Sequence, residues 1–183
     1  TMSSNSDTAV ATQQSIKAYV DLYKPNVAFA AKQDTQTETG TDDTFYEITG
    51  LNPTLTTKAT GSTFKVSTTI GLGSEDLGAI VVFKVQYSLA GGSYTDFLTA
   101  TSPSSRTPCH AASSQGNAEP DDIVTTNFDV FLSGLSYTAG QSIAFKVFVA
   151  SIDATKAINI NRSHSDADNN GSARTVSTMI AEE

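Results

Sequence analysis

Apolar and polar residues alternate with a period of two along most of this chain. Turn residues separate the alternating runs, and a single helical stretch stands at the start. Together these predict a mainly β protein: an antiparallel, jelly-roll-like β-sandwich with a short N-terminal helix. The division expected is a helical segment over residues 1–25 and a sandwich over 26–183.

The helix is read from NSDTAVATQQSIKAYVDLY, Asn5 to Tyr23. Ile16, Tyr19, Val20 and Tyr23 fall at i, i+3, i+4 and i+7, one stripe on a 3.6-residue helix. Asp7 or Thr12 can cap its start with a side-chain oxygen, and Pro25 ends it. A helix of about four turns is marginal alone in water, so the stripe needs a partner, either the following domain or copies of itself.

Beyond Pro25 the period changes. Val27, Phe29 and Ala31 alternate with Asn26, Ala28 and Ala30, a strand with one apolar face. The polar run Gln33 to Asp43 reads as a loop, and Phe45, Tyr46 and Ile48 as a short strand closed by Gly50 and Asn52-Pro53. Phe64, Val66, Thr68 and Ile70 alternate cleanly with Lys65, Ser67 and Thr69, and GLGSEDLG, Gly71 to Gly78, reads as the next turn. Ala79 to Leu89 carries the strongest strand signal. Gly91 and Gly92 are expected to supply positive φ angles for a hairpin back through Tyr94 to Thr99.

Residues 101–120 hold Pro103, Pro108 and Pro120, which exclude a central strand but allow a long loop or an edge. Strand patterning resumes at Ile123 to Leu132 and Ile143 to Val149, then at Ile158 and Ile160, and last at Val176, Thr178 and Ile180. About eight or nine strands without helices between them is the pattern of a sandwich or jelly roll.

Composition narrows the function. The chain has 183 residues, with 11 basic and 19 acidic side chains and a net charge of -8. That acidity argues against nucleic acid as a partner. No apolar run approaches the roughly 20 residues of a membrane-spanning helix, so membrane insertion is not expected. No signal peptide is visible at the start of the sequence. Cys109 is the only cysteine, so no intrachain disulfide is possible, and a small buried residue is the plain reading of it.

The two ends of the chain resemble a known family. SDTAVATQQSIKAYVD, Ser6 to Asp21, resembles the helical segment that recurs in tail fibres and other virion structural proteins of tailed bacteriophages, marine ones especially. ININRSHSDADNNGSARTVSTMIAEE, Ile158 to Glu183, resembles the close of the β domain that follows that helix. The resemblance implies a homotrimer with the helices on a three-fold axis and Ile16, Tyr19, Val20 and Tyr23 as trimer contacts. It also implies a virion location, at the particle surface, beside other virion proteins.

Catalytic chemistry finds little support. His110 and His164 are the only histidines, and neither stands in a nucleophile or zinc pattern. Asp42 with Asp43, Glu75 with Asp76, and Asp121 with Asp122 sit in turn-like segments, where Asp bonds its own backbone. A pair of carboxylates could cleave a glycan, but the expectation is a non-enzymatic protein without cofactor or metal. In DADNNG, Asp166, Asp168, Asn170 and Gly171 match the first half of a calcium loop, yet the twelfth position is Ser177 rather than Glu. A polar hairpin tip is the plain reading. The sequons at Asn161 and Asn170 are formal matches only.

The leading expectation is therefore a trimeric fibre or decoration module of a tailed phage with an outward-facing β head. The alternative is a receptor-binding module for host-surface carbohydrate, stacking sugar on Tyr46, Tyr94 or Tyr137, with the loop around Arg106, Cys109 and His110 as a second recognition surface.

Overall fold

The structure, a computed structural model, describes residues 12–39, 44–74, 80–97, 101, 107–114, 122–152, 156–166 and 173–183. Among them are helix α1 (Gln13–Tyr23) and twelve strand segments that pair into two antiparallel sheets.

The first sheet joins β1 (Val27–Lys32), β2 (Gln36–Thr39), β5 (Phe64–Ser74), β9 (Val124–Leu132), β11 (Ala157–Ile160) and β12 (Ser177–Glu182). The second joins β3 (Tyr46–Glu47), β4 (Thr54–Thr56), β6 (Ile80–Leu89), β7 (Thr95–Asp96), β8 (Ala111–Ser114) and β10 (Ser142–Ser151). Several segments are halves of one long strand. β1 and β2 lie end to end beside β12 and β11, and those two share one edge of β5. β3 and β4 share an edge of β10, as β7 and β8 share an edge of β6. Merging the halves leaves eight strands, with sheet orders 1-8-3-6 and 2-7-4-5 along the chain. Two four-stranded sheets with this winding form a jelly roll.

The core lies between the sheets. Phe64, Val66, Ile70 and Leu72 of β5 meet Ile143, Phe145, Val147 and Val149 of β10 and Val81, Phe83 and Val85 of β6. Phe64 packs on Phe145 and Tyr137 with ring centroids 6.0 and 5.6 Å apart. Period-two burial fixes the register here, because a slip of one residue would turn every apolar side chain outward.

Four details differ from the sequence reading. The apolar face of β1, Val27, Phe29 and Ala31, points to solvent, while Ala28, Ala30 and Lys32 face inward. On β12 the buried residues are Ser177, Met179 and Ala181, so Thr178 and Ile180 lie on the outer face. The stretch GLGS continues β5 rather than forming a turn. A Cβ on Gly73 would lie 2.3 Å from the Arg162 carbonyl oxygen, and one on Gly71 would lie 1.9 Å from Thr175 Oγ1. Glycine is needed there because the returning chain crosses the outer face of β5 in contact with it. Last, the positive φ angles after β6 belong to Ala90 and Gly91.

Candidate functional site

Thr12 starts α1 with extended backbone, and its side-chain oxygen accepts the Ser15 N–H at 3.2 Å. Of the two expected caps this is the one used; Asp7 lies outside the described residues. The Lys24 N–H closes the last turn on the Val20 carbonyl at 3.1 Å, just before Pro25. The helix brings all four expected contact residues to one face, and that face is open: Ile16 is 52% exposed, Tyr19 59%, Val20 45% and Tyr23 68%. The Tyr19 and Tyr23 rings meet at a tilt of 47° with centroids 4.6 Å apart. Lys17, Asp21 and Lys24 form a second, charged stripe. Hydrogen bonds from Lys17 and then Lys24 hold the Asp21 carboxyl below its ordinary pKa.

A polar hub ties the helix to the sandwich. Lys58 Nζ donates to the Asp21 carbonyl at 3.0 Å and also to that of Lys24. The Lys58 N–H lies 2.9 and 2.8 Å from the two side-chain oxygens of Glu183. The same carboxylate accepts from Ala59 N–H at 3.1 Å, Ser62 Oγ at 2.9 Å and the Asn26 amide. Burial opposes its charge, but these donors, led by Asn26, outweigh the burial and hold the Glu183 pKa down. Neither Lys58 nor Glu183 stood out in the sequence, since a lone Lys and a lone Glu far apart carry no periodic signal.

The outer faces of the two sheets differ. On the second sheet, Lys84 reaches Asp96 at 3.1 Å and sits 4.2 Å from the centre of the Phe45 ring. Lys146 reaches Glu47 at 2.7 Å and sits 4.5 Å from the centre of the Tyr94 ring. Both of these lysines are paired, and Ile80 on the same face is 40% exposed. On the first sheet, Phe29 faces Ile180 across the β1–β12 pairing, with Val27 beside them.

The proposed sugar-stacking aromatics do not share a platform. Tyr137 is buried against Phe64 and its hydroxyl accepts the Ser62 N–H at 2.8 Å, so it is a core residue rather than an exposed one. Tyr46 and Tyr94 are half-buried, and the Tyr94 ring already has the Lys146 ammonium over it.

In the irregular stretch, Ala111–Ser114 forms an edge strand on β6, while Arg106 lies outside the described residues. Cys109 is half-buried rather than buried, and burial pushes its thiol pKa up. His110 is a stitch. Its Nδ1 accepts the Val85 N–H at 2.9 Å, so Nε2 carries the proton and donates to the Phe97 carbonyl. Burial lowers its pKa despite that bond and the nearby Asp96.

Of the carboxylate pairs, only Asp122 is among the described residues, and it is exposed. Asp166 is held by two arginines, with Arg162 Nη1 and Arg174 Nη2 each 2.9 Å from its Oδ2. A carboxylate so occupied is a poor first ligand for calcium; Asp168, Asn170 and Gly171 lie outside the described residues. Among the described residues no group of three His, Cys, Asp or Glu side chains could hold a metal ion, and no helix is long and apolar enough to cross a membrane.

Asn161 is fully buried, not a surface glycan acceptor. Its amide donates to the carbonyls of Lys32 and Asp34 at 2.8 and 3.0 Å, and its Oδ1 accepts from Ser177 Oγ at 2.6 Å. It fastens the crossing of β11 into the last loop to the β1–β2 junction.

No family model and no curated protein matches this sequence. Among solved structures, an infectious bursal disease virus Gx strain structure is similar with a TM-score of 0.41 and 13% identity, over 88% of this chain and 36% of that one. The T=1 particles derived from infectious bursal virus give 0.44 and 13%, over 98% and 39%. Eiger TNF from S. frugiperda gives 0.37 and 14%, over 87% and 93%. The chain thus spans little more than a third of the length of these two viral proteins.

Proposed function

We propose that this chain is a non-enzymatic structural module of a tailed-phage virion, a fibre or decoration protein that trimerises through α1 and turns its jelly roll outward. The observation that carries this reading is the open stripe of Ile16, Tyr19, Val20 and Tyr23 on a helix whose own sandwich leaves it uncovered. Burying an aliphatic or aromatic side chain of this size stabilises by roughly 1.5–3 kcal/mol, so two further copies offer a large gain to a helix too short to be stable alone. The resemblance of Ser6 to Asp21 and of Ile158 to Glu183 to virion proteins supports the same reading. Other virion proteins and the host surface are the partners that a particle-surface location would bring within reach.

The test is mass in solution. Sedimentation equilibrium across a concentration series is expected to show three copies per particle. A stable monomer throughout the series would overturn the trimer.

A further inference from the structure

We propose that the His110 ring is a proton-operated latch on the edge of β6 that faces away from β10. In its neutral form it joins β7 and β8 to that edge; protonation releases these two short strands while the central strands of both sheets stay paired. Every contact involved lies within one copy of the chain, so the latch is independent of the trimer proposed above.

β6 pairs along one edge with β10, from Ile143↔Leu89 to Ser151↔Val81. Its other edge is shared by two short strands whose pairings leave a gap. β8 covers Ile80 to Phe83 and β7 covers Gln86 and Tyr87, so among the described residues Lys84 and Val85 have no strand residue paired with them there. A side chain fills the gap instead. The His110 N–H bonds the Phe83 carbonyl at 2.8 Å, which brings the ring alongside Val85. Nδ1 then accepts the Val85 N–H at 2.9 Å, and Nε2 donates to the Phe97 carbonyl, one residue beyond β7. One register step past Gln86↔Asp96 would set Val85 opposite Phe97, so the ring stands where a direct bond between them would extend the ladder. A group inserted between an N–H and a carbonyl must accept on one side and donate on the other. Neutral imidazole does both. Imidazolium has two donors and no acceptor, so its Nδ1–H would point at the Val85 N–H.

The strands joined in this way have little of their own to hold them. β7 is two residues long and exposed, and β8 carries only Ala111, Ala112, Ser113 and Ser114. Segments that bury few apolar side chains are the ones that open locally. β6 and β10, by contrast, are paired along their length and bury Val81, Phe83, Val85, Phe145 and Val147. The charges that face the ring come from both neighbouring strands. Asp96 of β7 favours the imidazolium and Lys84 of β6 opposes it, and the two pair with each other at 3.1 Å. On the ring's own segment, burial pushes the Cys109 thiol pKa up, which keeps that group neutral. Tyr87 of β6 meets the Phe97 ring edge-on, with centroids 6.1 Å apart. Burial outweighs both the Phe97 bond and Asp96 and holds the His110 pKa below 6.5, so the closed edge contains the neutral ring. For such a base, opening becomes easier as pH falls below 6.5 toward the folded value.

The experiment is amide hydrogen exchange read by NMR on the unmodified protein and on His110→Gln at pH 7.5 and 5.5, each amide corrected for its intrinsic rate. Backbone N–H groups along a strand point alternately to its two edges, so β6 reports on both neighbours at once. The Val85 N–H points to the latched edge, and with it those of Phe83 and Tyr87; those of Lys84 and Gln86 point to β10. In the unmodified protein, protection of Val85, Phe83 and Tyr87 should fall several-fold from pH 7.5 to 5.5, while Lys84 and Gln86 keep theirs. In His110→Gln, whose side chain does not titrate, the fall should vanish. Unchanged protection at the edge-facing amides of the unmodified protein would overturn the latch. Equal loss at both sets would overturn it as well, because the sandwich would then be opening as a whole. These two comparisons need no substitution and stand even if the variant does not fold. A fall that persists in His110→Gln would assign the effect to another group and refute the role of this ring.

Discussion

Lys58 holds the end of helix α1 by its backbone: Nζ lies 3.0 Å from the Asp21 carbonyl oxygen, one of the acceptors that a helix leaves without an intrahelical partner. A lysine there also complements the negative end of the helix dipole. Lys58→Met keeps much of the apolar stem and removes the donor. The expected cost is on the order of 1 kcal/mol, concentrated on the helix. Hydrogen exchange should show faster exchange in the last turn of α1, with protection in β5 and β10 unchanged.

On the other side of the same hub, the Glu183 carboxylate is held below its ordinary value of 4.5 against the opposing effect of burial. A carboxyl whose folded pKa is depressed contributes stability that is present above its unfolded value. That contribution disappears as pH falls through the folded value. Denaturation midpoints should therefore fall from roughly pH 5 downward. Glu183→Gln should be less stable than the parent at pH 7 and should flatten that acid slope. Equal slopes in parent and variant would show that the hub does not depend on charge.

His110 is a second group that links stability to pH. Burial depresses its pKa below the ordinary 6.5, and the neutral ring accepts the Val85 N–H through Nδ1. Protonation removes that acceptor. Asp96 favours the charged ring, while Lys84 opposes it. For a base with a lowered folded pKa, stability is fully present above 6.5 and declines as pH falls toward the folded value. Titration of the His110 ring by NMR, with urea melts at pH 7.5 and 5.5, measures this directly; His110→Gln should remove the difference.

Where the last loop crosses β5, volume is the controlling quantity. Gly73→Ala would place a methyl carbon 2.3 Å from a backbone oxygen, which can yield only by moving the chain. Gly71→Ala meets the hydroxyl of Thr175, the end of a side chain that can rotate. Both should destabilise, Gly73→Ala by about 3 kcal/mol and Gly71→Ala by less. Urea melts of the two variants check the order.

The jelly roll was legible because its central strands obey a strict period of two: Phe64 to Ile70 and Ile143 to Val149 announce both the strand and its buried face. What escaped had a physical reason in each case. In β1 and β12 the larger residues, Phe29 and Ile180, lie on the outer face. A rule that sends apolar residues inward misjudges a strand whose outer face is itself apolar. Gly71 and Gly73 resemble a turn until the chain that covers them is seen. Asn161, Lys58 and Glu183 act through partners far away in sequence, and spacing cannot report such bonds.

The helix stripe was read from spacing alone, and its four residues do share one open face, which makes the seam testable residue by residue. Ile16→Asp or Val20→Asp would place a carboxylate where three apolar surfaces are proposed to meet, and burying an unpaired charge costs several kcal/mol. In a monomer the same substitutions fall at positions 52% and 45% exposed and outside the core cluster, so the sandwich should melt as before. The expected outcome is one third of the parent's mass by sedimentation, with unchanged β-sheet circular dichroism. Retention of three copies in both variants would locate the contact elsewhere on the chain. Loss of the sheet signal would mean that α1, tied to the sandwich through Lys58, supports the fold itself.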